Sequence, residues 1–228
     1  MRHRLAALML FAAGFGTRMG ALTADRPKPL IPVAGRPLID HALTLAAPLA
    51  PLRIAVNLHY RGAQIARHLA DRPGIALSWE RGPILDTGGG LRAALPLLGP
   101  GPVMTLNTDA VWTGPNPLAE LAAAWRPGMG ALLLLAGPGA ATGHAGPGDF
   151  ALDGAGRITR GGPFTYLGTQ VIDPRALDGI PGPAFSLNRA WDRLIDAGRA
   201  FGLIHRGGWC DVGHPGGIAL AEGMLADV

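Results

Sequence analysis

From Leu5 to Ala136 the chain alternates short apolar runs with segments of helical spacing, and this alternation restricts its fold more than any other feature. The runs Leu5–Ala12, Arg53–Asn57, Ile75–Trp79, Val103–Leu106 and Ala131–Ala136 read as buried strands. Between them, Leu38–Leu45, Ala63–Ala70, Leu91–Leu97 and Leu118–Trp125 read as helices, with Pro37 placed to open the first. Strands separated by single helices need right-handed crossovers. The spacing therefore predicts a three-layer α/β architecture with a mostly parallel sheet covered on both faces.

After Gly137 the pattern changes. Pro138–Gly148 reads as a loop, and Asp149–Leu152 with Arg157–Thr159 reads as a hairpin around Asp153-Gly-Ala-Gly156. A longer strand, Thr165–Ile172, is followed by a helix at Asn188–Ala197, a strand at Ala200–His205 and a final helix from about Gly217. With 228 residues, no repeat and no long linker, residues 1–228 are expected to form a single domain with a small strand-rich lobe in the second half.

Composition excludes several function classes. The formal net charge is +4, but the arginines are scattered, so no nucleic-acid partner is expected. A single cysteine, Cys210, allows neither a disulfide framework nor a multi-cysteine zinc site, and the chain reads as cytoplasmic. Met1-Arg-His-Arg4 with Leu5–Ala13 has the pattern of a secretory leader. The glycine-rich turn that follows, with no small-residue cleavage pair before it, favours a buried first strand. No apolar run reaches the roughly 20 residues of a bilayer span, so no membrane association is expected.

Two constellations carry chemistry. Ala12-Ala-Gly-Phe-Gly-Thr-Arg-Met19 follows directly on a strand, where small residues let the backbone approach a phosphate and successive N–H groups form an anion nest. Arg18 could add charge-assisted hydrogen bonds. The segment lacks the spacing of a dinucleotide fingerprint, because Met19 stands at the third glycine position, and it lacks the Gly-Lys-Ser/Thr of a P-loop. The second constellation is Arg26-Pro-Lys-Pro-Leu30, in which prolines flank the only lysine of the chain and stiffen its backbone into an extended form.

Together these residues resemble the signature of the sugar-1-phosphate nucleotidyltransferases, a Gly-x-Gly-x-Arg-Met turn followed by Pro-Lys-Pro-Leu. The resemblance implies a Rossmann-like nucleotidyltransferase fold whose strand-rich lobe lies on the acceptor side of a cleft. It implies that Ala13, Gly14, Gly16, Thr17, Arg18 and Lys28 bind the nucleotide, with Arg18 and Lys28 catalytic. Asp86-Thr-Gly-Gly-Gly90 resembles the segment that contacts the base, with Gly89 as the backbone contact. Leu106-Asn-Thr-Asp109 resembles the family's Asn-Gly-Asp, which implies Asn107 near the nucleotide and Asp109 on Mg²⁺; Thr108 replaces the usual glycine. Trp209-Cys-Asp-Val-Gly213 matches Trp-x-Asp-x-Gly and implies Asp211 as the second metal ligand.

Within the family, Asp86-Thr-Gly-Gly-Gly90, Leu95-Pro-Leu-Leu98 and Gly148-Asp-Phe150 resemble most the uridylyltransferases acting on N-acetylmuramic acid 1-phosphate, which implies Asp149 at the sugar and a place in bacterial cell-wall recycling. The implied partners are UTP and a sugar 1-phosphate, and the implied state is a monomer or weak homodimer. Glucose, N-acetylglucosamine or mannose 1-phosphate remain alternative acceptors, and a non-catalytic nucleotide-sugar sensor or a nicotinamide-dependent dehydrogenase alternative functions. His59, His68 and Trp125 read as packing or surface residues, and His144 as at most a lid contact.

Overall fold

The computed structural model describes residues 5–49 and 52–227; the charged stretch 1–4 of the leader-like pattern lies outside them. The strands are β1 (Ala7–Phe11), β2 (Pro32–Val33), β3 (Arg36–Pro37), β4 (Arg53–Leu58), β5 (Ile75–Trp79), β6 (Val103–Asn107), β7 (Ala110–Thr113), β8 (Ala131–Ala136), β9 (Phe150–Leu152), β10 (Ile158–Arg160), β11 (Thr165–Ile172), β12 (Ala200–Ile204) and β13 (Gly208–Asp211). The α-helices are α1 (Leu38–Ala46), α2 (Gly62–His68), α3 (Asp86–Leu98), α4 (Pro117–Ala124), α5 (Asn188–Asp196) and α6 (Pro215–Ala226).

Seven strands form the central sheet in the order β12-β8-β11-β6-β1-β4-β5. All pairings are parallel except those of β11, which runs against β6 and β8. Alternation along each strand divides the core between two faces. Leu8, Leu10, Val56, Leu58, Met104 and Leu106 pack on one side with Ile39 of α1, Ile65 of α2 and Leu118 of α4. Met9, Ala55, Val103 and Leu133 pack on the other with Leu91 and Leu98 of α3 and Trp191 and Leu194 of α5. The five expected strands, β1, β4, β5, β6 and β8, lie where the apolar runs predict them, because burial in a covered parallel sheet leaves a near-continuous apolar signature. No helix among the described residues is long and apolar enough to cross a membrane.

A third, smaller cluster positions the functional loops. Met19, Ile31, Val33, Val111, Cys210, Val212 and Ala221 are buried together, joining the segment after the glycine turn, the β2–β3 hairpin, the β7–β13 ribbon and α6. The ribbon is a departure from the sequence reading, which assigned neither β7 nor β13. Each has only four residues and pairs with a partner almost a hundred positions away, so nothing local announces it. The β9–β10 hairpin follows the sequence expectation and docks on β12 through a bridge between Arg157 and Phe201.

Two further departures have physical causes. Helix α3 starts at Asp86, not Leu91, although three successive glycines are poor helix formers; they are required by close packing described below. Lys28–Leu30 is a single 3-10 turn instead of an extended strut, with extended backbone at the flanking Pro27 (φ −70°, ψ 145°) and Ile31 (φ −67°, ψ 129°). Pro29 fits that turn because its fixed φ is compatible with the first helical positions.

The strand β8 is buried along its whole length. Leu134→Ala is expected to lower stability by about 2–5 kcal/mol, whereas Leu97→Ala, at a side chain left 40% exposed on α3, should change it by less than about 0.5 kcal/mol. Urea denaturation of the two variants measures the difference.

Candidate active site

The carboxyl ends of β1, β4, β5 and β6 open into a cavity of about 310 Å³, the place where parallel sheets accept ligands. Its lining includes Ala12, Ala13, Gly14, Gly16, Thr17, Arg18, Lys28, Asn107 and Asp109. Seven of the residues implied at the nucleotide are thus brought together. The turn leaves β1 with Ala12 N–H donating to Asn57 Oδ1 at 2.8 Å. Gly16 then adopts φ +65°, and Thr17–Thr23 coils into 3-10 helix. Among the described residues the N–H groups of Gly14, Phe15 and Gly16 have no protein acceptor. Three adjacent donors at an open turn form a nest for an anion. Thr23 Oγ1 donates to Gly16 O at 3.1 Å, and Met19 is sealed in the third cluster, so the turn is held from behind. Arg18 is exposed on the cavity side.

Lys28 is buried, and its Nζ donates to Asp109 Oδ2 at 2.7 Å. Asp109 precedes β7 and Asp211 ends β13. Asp211 pairs in register with Ala110, and Val212 N–H donates to Asp109 O at 2.8 Å, which sets the two aspartates side by side. Burial, and then the nearby Asp109 carboxylate, push the Asp211 carboxyl above its ordinary range, while Lys28, Arg18 and His144 draw it down. Two oxygen donors that repel each other beside a single bound ammonium are a donor set suited to a hard divalent cation, which takes one or two carboxylates and completes its shell with water or phosphate. No group of three or more such ligands occurs among the described residues. Thr108, standing where the family motif has glycine, is accommodated: its side chain is buried and its Oγ1 donates to Phe11 O at 2.7 Å.

The wall of the cavity is glycine-packed helix. Asp86 opens α3 from φ +59° and accepts from Thr87 N–H at 2.5 Å; both residues line the cavity. Gly89 does not. Its N–H and that of Gly88 both donate to Phe185 O, and a Cβ on Gly89 would lie 2.2 Å from Pro183 O. Its backbone is therefore spent on packing. Gly90 serves the same end on the other side, where a Cβ would meet Asn57 Nδ2 and Glu80 Oε1 at 2.9 Å.

Asn57 and Glu80 are lining residues that the sequence reading missed. Asn57 Nδ2 donates to Glu80 Oε1 at 2.7 Å, and Glu80 Oε2 accepts from Leu85 N–H at 2.8 Å. Both are buried polar groups at the carboxyl ends of predicted strands, and that position was the available signal. Asn107 rests on Gly168, whose φ of +75° and missing Cβ leave it room. Asp149 lies outside the cavity lining, exposed, with Oδ2 accepting from Tyr166 N–H at 2.8 Å. His59 bonds Glu80 O at 3.0 Å and packs edge-on to Phe15, and His68 pairs with Asp40 at 2.9 Å.

The turn's two central glycines should respond differently to a methyl group. Gly16→Ala forces a side chain into left-handed backbone, 3.0 Å from Lys28 Cβ, and is expected to cost about 1–2 kcal/mol. Gly14→Ala meets nothing within 4 Å and should change stability by less than about 0.5 kcal/mol. Chemical denaturation checks both.

Comparison with known proteins agrees with this geometry. Residues 8–157 match the model of the MobA-like NTP transferase domain. The chain is 41% identical over 234 residues to an N-acetylmuramate alpha-1-phosphate uridylyltransferase of Caulobacter vibrioides, covering 96% of both chains. It is 34% identical over 216 residues to the enzyme of the same name from Neisseria meningitidis, covering 90% of this chain and 92% of that one. Among solved structures it resembles HddC from Yersinia pseudotuberculosis complexed with GMP-PN, with TM-score 0.74, 18% identity and coverage of 97% and 100%. A putative glucose-1-phosphate thymidylyltransferase from Bacillus anthracis gives TM-score 0.76, 16% identity and coverage of 98% and 96%. The last two share the fold. With a glycine turn, a buried lysine and paired aspartates gathered at the mouth of a parallel sheet, and with relatives spanning nearly its whole length, the chain belongs to the MobA-like NTP transferase family.

Proposed function

We propose that the protein transfers the uridylyl group of UTP to the phosphate of N-acetylmuramic acid 1-phosphate, forming a UDP-sugar and pyrophosphate. The near full-length similarity to two uridylyltransferases of that name supports the acceptor. The observation that carries the chemistry is the meeting of Lys28, Asp109 and Asp211 beside an open nest of N–H donors. A non-catalytic sensor would have no need of the paired carboxylates. We further read residues 1–228 as one catalytic unit acting in the cytoplasm as a monomer or weak homodimer, in the reuse of cell-wall sugars.

The turn from Ala13 to Arg18 receives the triphosphate, with backbone N–H groups on the phosphate oxygens and Arg18 on the departing β- and γ-phosphates. Asp109 and Asp211 would hold Mg²⁺, which when bound offsets charge on the α-phosphate and the leaving group. An oxygen of the acceptor's phosphate attacks the α-phosphorus in line, and the α–β anhydride bond breaks to release pyrophosphate. The acceptor is already ionised, so no general base is required. Lys28 steadies the charge of the transition state from a rigid turn, so catalysis rests on position and electrostatics. Asn57, Glu80, Asp86 and Thr87 form the part of the cavity that takes the nucleoside, with Asn107 nearby; Asp149 faces the acceptor with its free oxygen.

Release of pyrophosphate from UTP and the muramic acid substrate tests the proposal directly. Activity should require Mg²⁺ and vanish with a chelator. Asp109→Ala and Asp211→Ala should each lower turnover by more than about tenfold, about 1.4 kcal/mol of barrier, with the circular dichroism spectrum unchanged. Lys28→Arg should do the same, since a planar fork does not reproduce a compact ammonium. Profiling UTP, GTP, TTP and ATP against muramic acid, N-acetylglucosamine, glucose and mannose 1-phosphates should place UTP with the muramic acid substrate first in kcat/KM. A higher value for GTP with mannose 1-phosphate or TTP with glucose 1-phosphate would refute the acceptor while leaving nucleotidyl transfer intact.

A further inference from the structure

A second cavity, of about 870 Å³, lies at the opposite end of the sheet. Its walls come from the end of α3 and the loop leading to β6, the loop joining α4 to β8, the residues just after β11, and Arg199 ahead of β12. Since β6, β8 and β12 are oriented alike, these are their amino ends, remote from Asn107 and Asp109 at the carboxyl end of β6. The two cavities share no lining residue.

Four arginines line it, Arg92, Arg126, Arg175 and Arg199, against one carboxylate, Asp173, a formal net charge of +3 where the whole chain carries +4. That carboxylate is already used. Arg175 Nε donates to both Asp173 oxygens at 3.0 Å, and its Nη2 donates to Oδ2 at 2.5 Å. Arg92 is committed to the carbonyls of Ile180 and Gly182. Arg126 and Arg199 are exposed and donate to the carbonyls of Ala124 and Gly128, each at 3.2 Å, and Arg199 also lies close enough to Asp173 to help Arg175 hold its carboxyl below the ordinary range. Neither is within direct ion-pair distance of a carboxylate among the described residues. Four guanidinium groups sharing one carboxylate leave a cationic excess in this concavity, and they repel each other unless an anion joins them.

The rest of the lining is glycine, proline and apolar side chains, among them Leu95, Pro96, Met129 and the half-buried Trp125. The cavity is concave and of the size that encloses a small molecule. We propose that it binds a small phosphorylated anion bearing a planar ring, a nucleoside diphosphate in chemical class, with phosphate on Arg126 and Arg199 and the ring against Trp125. Helix α3 runs from one site to the other: Asp86 and Thr87 line the catalytic cavity, and Arg92, Leu95 and Pro96 line this one.

Equilibrium dialysis with UDP tests the proposal, using wild type, Arg126→Ala/Arg199→Ala and Lys28→Ala. The wild type should bind two equivalents. The arginine double variant should lose one, weakened by more than about tenfold, while keeping wild-type turnover at saturating substrate and an unchanged melting temperature. Lys28→Ala should retain the site that the double variant loses. If the catalytic cavity fails to bind UDP, the wild type binds one equivalent that the double variant abolishes, which overturns the reading of the catalytic cavity and supports this one. An unchanged number of bound equivalents in the double variant overturns the proposal. Pyrophosphate serves as the remaining arm: it should compete at this site more than about tenfold more weakly than UDP, and Trp125→Leu should weaken UDP but not pyrophosphate. Equal binding of UDP and pyrophosphate would refute the ring's part in recognition.

Discussion

Lys28 and Asp109 meet at 2.7 Å across 81 positions of chain, and the rest of the candidate site can be understood as what that meeting requires. The ammonium must be desolvated, which costs free energy unless a carboxylate receives it. The carboxylate must be delivered by a different strand, and a second one must stand beside it. The sheet supplies the first condition by ending β1 and β6 side by side. The third core cluster supplies the second by clamping the segments around Lys28 and Asp211 to one small apolar patch. Lys28 is thus held on a proline-bracketed turn of 3-10 helix, its position settled before any substrate arrives.

Close approach is the second organising constraint. The helix α3 can lie against the segment around Pro183 and Phe185, and against Asn57 and Glu80, only because Gly88, Gly89 and Gly90 project nothing. The cost in helix propensity is met by those contacts and by the N–H groups shared with Phe185 O. The reward is a thin cavity wall in which Asp86 and Thr87 face the site while the glycines behind them face the protein. A motif that resembles a ligand loop in sequence is in this protein half cavity wall and half packing surface.

Much of the fold was legible because burial leaves periodic traces. The parallel strands read as apolar runs and the β9–β10 hairpin read from Asp153-Gly-Ala-Gly156, since both signals are local. What escaped was non-local. The β7–β13 ribbon joins Asp109 to Asp211 through pairing that no short window contains, and the glycine helix start depends on neighbours a hundred positions away. Asn57 and Glu80 carried only a weak trace, polar residues at the ends of apolar strands.

The sequence by itself determined the residue types of the candidate site: a glycine turn, one lysine between prolines, and aspartates after apolar segments, because phosphate chemistry favours those groups and their motifs are contiguous. Tertiary structure alone decided which of them face the cavity. It directed Gly89 into packing, kept Asp149 outside the lining, and seated Thr108 by giving its hydroxyl the Phe11 carbonyl. It also gathered four scattered arginines around one cavity at the far end of the sheet. The physical reason is the same in each case: the chemistry of a side chain is a property of the residue, whereas its direction and its neighbours are set by the packing of distant segments.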